Sequence, residues 1–186
     1  MISSFNELHQ MVKDSQPKRV ALVAAEDPVL IEAAKRAQEE GLARFILFGN
    51  SRKIESLNPP DASSFEIVDS QNPAIDAINY IHADKADLLM KGKIQTGDLL
   101  RAILNRDTGL RQGELLNHIA VIESPHYHKL LFISDGGINL HLDENVYQQM
   151  VVNITQYLKL LGIESPHFGM MTLVETVSKK IPETII

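Results

Sequence analysis

The segment "RVALVAAEDPVLIEAAKRAQEEGLARFILFG", Arg19 to Gly49, constrains the fold more than any other. Val20 to Ala25 is a short, unbroken apolar run, the pattern of a strand buried on both faces rather than one. Asp27-Pro28 then supplies a capping side chain followed by proline at the first helical position. Val29, Leu30, Ala33, Ala34 and Ala37 repeat at helical spacing, and Gly41 can take the left-handed conformation that ends a helix. "RFILFG" is a second buried strand. Two strands buried on both faces and separated by one helix cannot form a hairpin. They require a parallel pair with a crossover.

The same alternation continues. "FEIVDS" reads as a strand, "NPAIDAINYIHA" as a helix opened by Asn72-Pro73, "ADLLMKG" as a strand and "TGDLLRAIL" as a helix capped by Thr96. "HIAVIES" and "KLLFISDG" are two more strands. "DENVYQQMVVNITQYLKLLG" is the longest helix, with Val146, Met150, Ile154, Tyr157 and Leu161 on one face and Gly162 at its end. "HFGMMTLV" is a final strand, and "SLNPPDASS" is a loop. This order predicts an α/β protein of three layers built on a mostly parallel sheet.

Composition narrows the function. Hydrophobic residues are 44% of the 186 and charged residues 23%, enough to build a core. The absence of cysteine excludes a thiol nucleophile, Cys-ligated zinc and disulfides, and it suits a cytoplasmic protein. No basic leader with an apolar stretch and no membrane-length apolar run is evident, so neither export nor a membrane partner is expected. A formal net charge of -6 argues against nucleic acid as a partner.

Against that acidic background, Lys91 to Arg111 carries five basic residues (Lys91, Lys93, Arg101, Arg106, Arg111) and only two acidic ones. It follows directly on a strand. Ligands of open parallel sheets bind at the carboxyl ends of strands, beside helix N-termini. Lys91, Gly92, Lys93, Thr96 and Arg101 are therefore candidate anion-binding residues, with Gly92 allowing close approach of the backbone to a ligand. Arg101 lies off the helix face formed by Leu99, Leu100, Ile103 and Leu104. The alternative is an ordinary solvated basic face. "FISDGGINL" offers a second strand end, where Asp135 and Gly136 either orient Arg101 or bind a hydroxyl or amide, or else form a plain turn. His126 and His128 sit two apart, without an acidic partner at metal-ligand spacing. A loop pair is the simpler reading, and no metal is expected.

"LLMKGKIQTGDLLRAIL", "HIAVIESPHYHKLLFISDGGIN" and "LLGIESPHFGMMTLVETVSKKIPET" together resemble the phosphate acetyltransferase/butyryltransferase family, and its butyryl branch most. The resemblance implies a two-domain α/β fold similar to that of the isocitrate and isopropylmalate dehydrogenases, with an active site in the cleft between domains. It places a first domain at 1–140 and the start of a second at 141–186. It implies transfer of a short acyl group between coenzyme A and inorganic phosphate to give an acyl phosphate, by a homodimer, with coenzyme A as substrate and no bound cofactor. Arg101 matches the family arginine that helps hold phosphate. Thr96, Asp135 and Gly136 fall in segments lining the same cleft. The family's C-terminal Ser-Arg-x-Asp segment has no match before Ile186, so the catalytic residues are unassigned. On the family fold, a chain ending there leaves a sheet edge uncovered and is expected to self-associate. Two alternatives share these features: a non-catalytic module that binds acyl-CoA or acyl phosphate, and a metal- and NAD-dependent decarboxylating dehydrogenase. The second needs a cluster of aspartates, and Asp135 stands alone.

Overall fold

The computed structural model describes all residues except 1, 58–64, 114, 140, 172–173, 181–183 and 186. The chain forms two compact units, His9–Gln112 and a second made of Met1–Leu8 with Gly113–Ile186. The expected boundary at 140/141 falls inside the second of these.

The His9–Gln112 unit holds a four-stranded parallel sheet. Its strands are β1 (Lys18–Val23), β2 (Ala43–Gly49), β3 (Glu66–Asp69) and β4 (Leu88–Lys91), arranged β3-β2-β1-β4. The helices between and after them are α2 (Pro28–Glu39), α3 (Ser51–Leu57), α4 (Pro73–His82) and α5 (Thr96–Ile103), while α1 (Phe5–Lys13) precedes β1. Side chains alternate across the sheet and split the core in two. Val20, Leu22, Phe45 and Leu47 pack with Ile31 and Ala34 of α2 and Ile54 of α3. Ala21, Val23, Ile46 and Phe48 pack with Ala74 and Ala77 of α4 and Leu99 of α5. Helices on both faces explain why β1 and β2 are apolar at every central position, and they make the expected three layers.

The helix signals work as written in the sequence. Asp27 accepts hydrogen bonds from the Val29 and Leu30 amides at 2.9 and 3.3 Å and caps α2. Gly41, at φ +75°, ends it. Two elements differ in detail. Gln95, not Thr96, takes the N-cap of α5, and Thr96 is the first helical residue. The seven-residue α3 has a single buried side chain, Ile54, too little periodicity to be read as a helix.

In the other unit, β5 (Ala120–Ile122) and β6 (Leu131–Ile133) pair antiparallel with each other. The connection between them is shorter than the dozen or so residues a parallel crossover takes, so they fold as a hairpin and do not extend the parallel alternation. Helix α6 (Glu144–Leu160) is capped by Asp143, which accepts from the Val146 amide at 2.8 Å, and buries Met150 and Leu158. The expected strand at "HFGMMTLV" does not form: residues 167–171 pair with no strand, and Phe168, Met170 and Met171 are exposed. Thr172 and Leu173 lie outside the described residues, as does most of the expected loop at 56–64. No helix among the described residues is long and apolar enough to cross a membrane.

Candidate functional site

In the β3-β2-β1-β4 order the chain reverses direction of travel across the sheet between β1 and β4. That is the switch point at which open α/β sheets bind ligands, at the strands' carboxyl ends. Lys91 ends β4, Gly92 and Lys93 follow it, and Thr96 opens α5, so four of the candidate residues stand at this point.

The local geometry is set by backbone. The Gly92 amide donates to the Val23 carbonyl at 2.8 Å and the Lys93 amide to the Ala24 carbonyl at 2.7 Å. A Cβ at Gly92 would lie 2.3 Å from the Val23 oxygen and 2.4 Å from the Ala24 oxygen. The glycine is thus required by the end of β1. Lys91 and Lys93 are exposed and make no ion pair among the described residues.

The β2 side of the same edge has the opposite character. Glu26 accepts from the Asn50 amide at 2.7 Å, and Asp69 accepts from the Ser51 amide at 2.9 Å. These carboxylates occupy the donors at the start of α3. The bonds from the Ser51 amide and hydroxyl hold the Asp69 carboxyl below its ordinary pKa. An incoming anion meets carboxylates there and lysines at β4, so the favourable quadrant is the β4–α5 turn.

Arg101 lines a cavity of about 450 Å³ between α4 and α5, with Asn72, Ile75, Ile78, Ile94, Asp98 and Asn105 among its walls. The start of α4 faces this cavity with no side-chain cap on its first amides. Arg101 is 78% exposed and donates to Asp98 at 2.7 Å. An exposed pair of this kind is worth at most about 1 kcal/mol, so a ligand anion can displace the aspartate at little cost.

Asp135 and Gly136 belong to the other unit. The Asp135 carboxylate accepts from the Asn139 amide at 2.8 Å and side chain at 2.7 Å, from the Gly137 and Ile138 amides, each at 3.3 Å, and from the His118 amide at 3.4 Å. Partial burial opposes its ionisation. The bonds from Asn139, Ile138 and His118 outweigh that and leave its pKa below the ordinary value. Every one of these bonds lies within this unit's own loops, which fits the turn reading. A polar network surrounds the turn: Asn153 donates to Asn117 at 2.7 Å, and Asn117 donates to Ser134 at 2.8 Å. Neutral asparagines scattered over 36 positions gave no sequence signal, and neither did the pairing of α4 with α5 that forms the Arg101 cavity. No three metal-ligating side chains gather among the described residues.

A parallel sheet with helices on both faces, its strand order reversing between β1 and β4, defines an α/β unit of the Rossmann type. The solved branched-chain phosphotransacylase from Enterococcus faecalis V583 has this fold: it superposes with a TM-score of 0.73 over 90% of this chain and 60% of its own, at 22% identity. In sequence, the chain is 35% identical over 191 aligned positions to phosphate butyryltransferase of Clostridium acetobutylicum, covering 100% of this chain and 64% of the relative. It is 35% identical to a probable phosphate butyryltransferase of Bacillus subtilis (90% of this chain, 58% of the relative). It is 31% identical to phosphate acetyltransferase of Thermotoga maritima (90% and 59%). No family model matches. The chain is therefore a homologue of the phosphate acetyltransferase/butyryltransferase family that spans about three-fifths of the length of the curated relatives it matches.

Proposed function

We propose that this protein is a phosphate acyltransferase, moving a butyryl or similar short acyl group between coenzyme A and inorganic phosphate in the cytoplasm, as a homodimer. The observation that carries the reading is the 35% identity to phosphate butyryltransferase along the whole chain. The chemistry suits the switch-point cations. A phosphate oxygen attacks the thioester carbonyl, the C–S bond breaks, and coenzyme A leaves as a thiolate that takes up a proton. Both substrates are polyanions, so bringing them together is mainly a matter of positive charge, held here by Lys91, Lys93 and Arg101. Arg101 is the residue that grips phosphate, exchanging Asp98 for it, and the apolar wall of its cavity is available to an acyl chain. Direct transfer needs no covalent nucleophile, in keeping with a cysteine-free chain.

The test is phosphate-dependent release of free thiol from butyryl-CoA by the 186-residue chain, with acetyl-CoA and isobutyryl-CoA alongside. Release that requires phosphate and is fastest with a four-carbon acyl group is the expected result. Binding of butyryl-CoA without any turnover would replace this reading by a non-catalytic acyl-CoA module.

A further inference from the structure

At the end of the sheet opposite Lys91 and Lys93, the amino ends of β1, β2 and β3 hold a second group of charged side chains. Arg19 and Arg44 are Cα partners on adjoining parallel strands. Adjoining strands lie about 4.8 Å apart, and partners in register share a face, here the one that carries Ala21 and Ile46 toward α4. Two guanidinium groups side by side repel, and the fold does not require them. Glu66 of β3, the partner of Ile46, shares the same face. Both β1 and β2 are interior strands, paired on each side within this unit.

The two arginines differ. Arg19 is committed: its Nε and Nη2 donate to Asp87 at 3.0 and 2.8 Å, and its Nη1 donates to the Asp84 carbonyl at 2.6 Å. Arg44 is exposed and makes no ion pair among the described residues. Lys85, just past α4, makes none either. Its ammonium lies over the Tyr80 ring, 5.1 Å from the centroid. Tyr80 is itself fixed, edge-on to the fully buried Phe48 with ring centroids 4.9 Å apart. Burial, and then the neighbouring Glu66 carboxylate, push its hydroxyl above the ordinary pKa. Arg19, Arg44, Glu66 and Lys85, with Gln38 and Phe45, line a cavity of about 520 Å³, within the size range of small-molecule sites. The last carbonyls of α2 and α4 are occupied. Those of Ala37 and Gln38 accept from Leu42 and Gly41, and those of Tyr80 and Ile81 from Lys85 and Asp84.

We infer that this cavity binds a small phosphate monoester that carries hydroxyl groups, a pentose phosphate or a nucleoside monophosphate. The phosphate dianion meets Arg44, whose planar fork can take two of its oxygens, and Lys85, a point charge. Two cations match its charge. Glu66 repels a second anionic group and accepts from a sugar hydroxyl, so diacids and diphosphates are disfavoured and a hydroxylated ester is selected. Gln38 accepts from the Phe45 amide through its Oε1 at 3.0 Å, which leaves its side-chain NH₂ as a further donor. Arg19 lies about 13 Å along β1 from Val23, the partner of Lys91, and no residue assigned to acyl transfer takes part.

Titration calorimetry of the 186-residue chain with ribose 5-phosphate, adenosine monophosphate and inorganic phosphate tests the site. Both esters are expected to bind in the millimolar range or tighter, and more tightly than inorganic phosphate. Arg44→Ala and Lys85→Ala, which change exposed side chains, should each weaken ester binding about ten-fold or more. Arg44→Lys, which keeps the charge without the fork, should fall between. Glu66→Ala should remove the preference for an ester over inorganic phosphate. Arg101→Ala should leave ester binding in place. Tighter binding of adenosine monophosphate than of ribose 5-phosphate gives the base a place in the cavity, and equal binding assigns the site to the sugar phosphate. A native chain that binds neither ester overturns the inference. So does ester binding that survives both Arg44→Ala and Lys85→Ala, or that is lost in Arg101→Ala instead. None of these readouts uses acyl transfer, so failure here and failure of the proposed enzyme activity are separate results.

Discussion

Replacing Gly92 by alanine tests whether the β4–α5 turn is built on β1. The added Cβ would lie 2.3 and 2.4 Å from two main-chain carbonyl oxygens, those of Val23 and Ala24, where no side chain can swing aside. The turn has to back away. Doing so stretches the bonds from the Gly92 and Lys93 amides, now 2.8 and 2.7 Å. Overpacking of this kind costs about 1–3 kcal/mol. Each weakened hydrogen bond adds about 0.5–1.5 kcal/mol. Relaxation shares these costs, so the expected loss is about 2–4 kcal/mol. For a unit of about 100 residues that lowers Tm by on the order of 10–20 °C. Gly97, five residues on, is the control. Nothing lies within 4 Å of a Cβ there, and it sits inside α5. Gly97→Ala is expected to be neutral or to stabilise by up to about 1 kcal/mol. Urea unfolding of both variants, with midpoint and slope fitted together, measures the contrast. A Gly92→Ala midpoint within error of the native one, or equal to that of Gly97→Ala, would refute the reasoning.

Two further predictions concern charge. Arg101→Ala is expected to raise the apparent KM for phosphate about ten-fold or more, since a hydrogen bond to a charged group is worth about 1.5–3 kcal/mol, while Asp98→Asn lowers it by freeing the guanidinium; unchanged phosphate kinetics in both variants would remove Arg101 from the site. The Arg19 guanidinium, and then its main-chain amide, hold the Asp87 carboxyl well below the usual carboxylate range. A depressed folded-state pKa means the stabilisation is fully present above the unfolded value of about 3.9 and is lost as pH falls below it. Unfolding midpoints from pH 7 to pH 2 should therefore fall more steeply below pH 4 for the native chain than for Asp87→Asn, and identical slopes would show that the pair does not couple to folding.

What the sequence discloses depends on how local the physics is. Asp27-Pro28 declares a helix start because cap and proline act within three residues, and the structure shows the cap bonds. The unbroken apolar runs of β1 and β2 declare a sheet covered on both faces, because only that environment leaves no position for a polar side chain. Strand order is not local. Nothing in "ADLLMKG" says that it pairs with β1 rather than β3, yet that choice creates the switch point and puts Lys91 and Lys93 at it. Gly92 shows the same limit from the other side. A glycine after a strand can serve a ligand or a neighbouring strand, and the demand of the neighbour shows only in the fold, where the Val23 and Ala24 oxygens would lie 2.3 and 2.4 Å from an added Cβ. Asp135 is the sharpest case. An acid before two glycines at a strand end suggests chemistry, while the carboxylate is in fact committed to amides of its own and an adjoining loop. A charge becomes available to a ligand only when its cheaper partners are few. By that criterion Lys91 and Lys93, which make no ion pair among the described residues, and Arg101, held by one exposed aspartate, are better placed to meet an anion than Asp135 is to meet anything outside its loop.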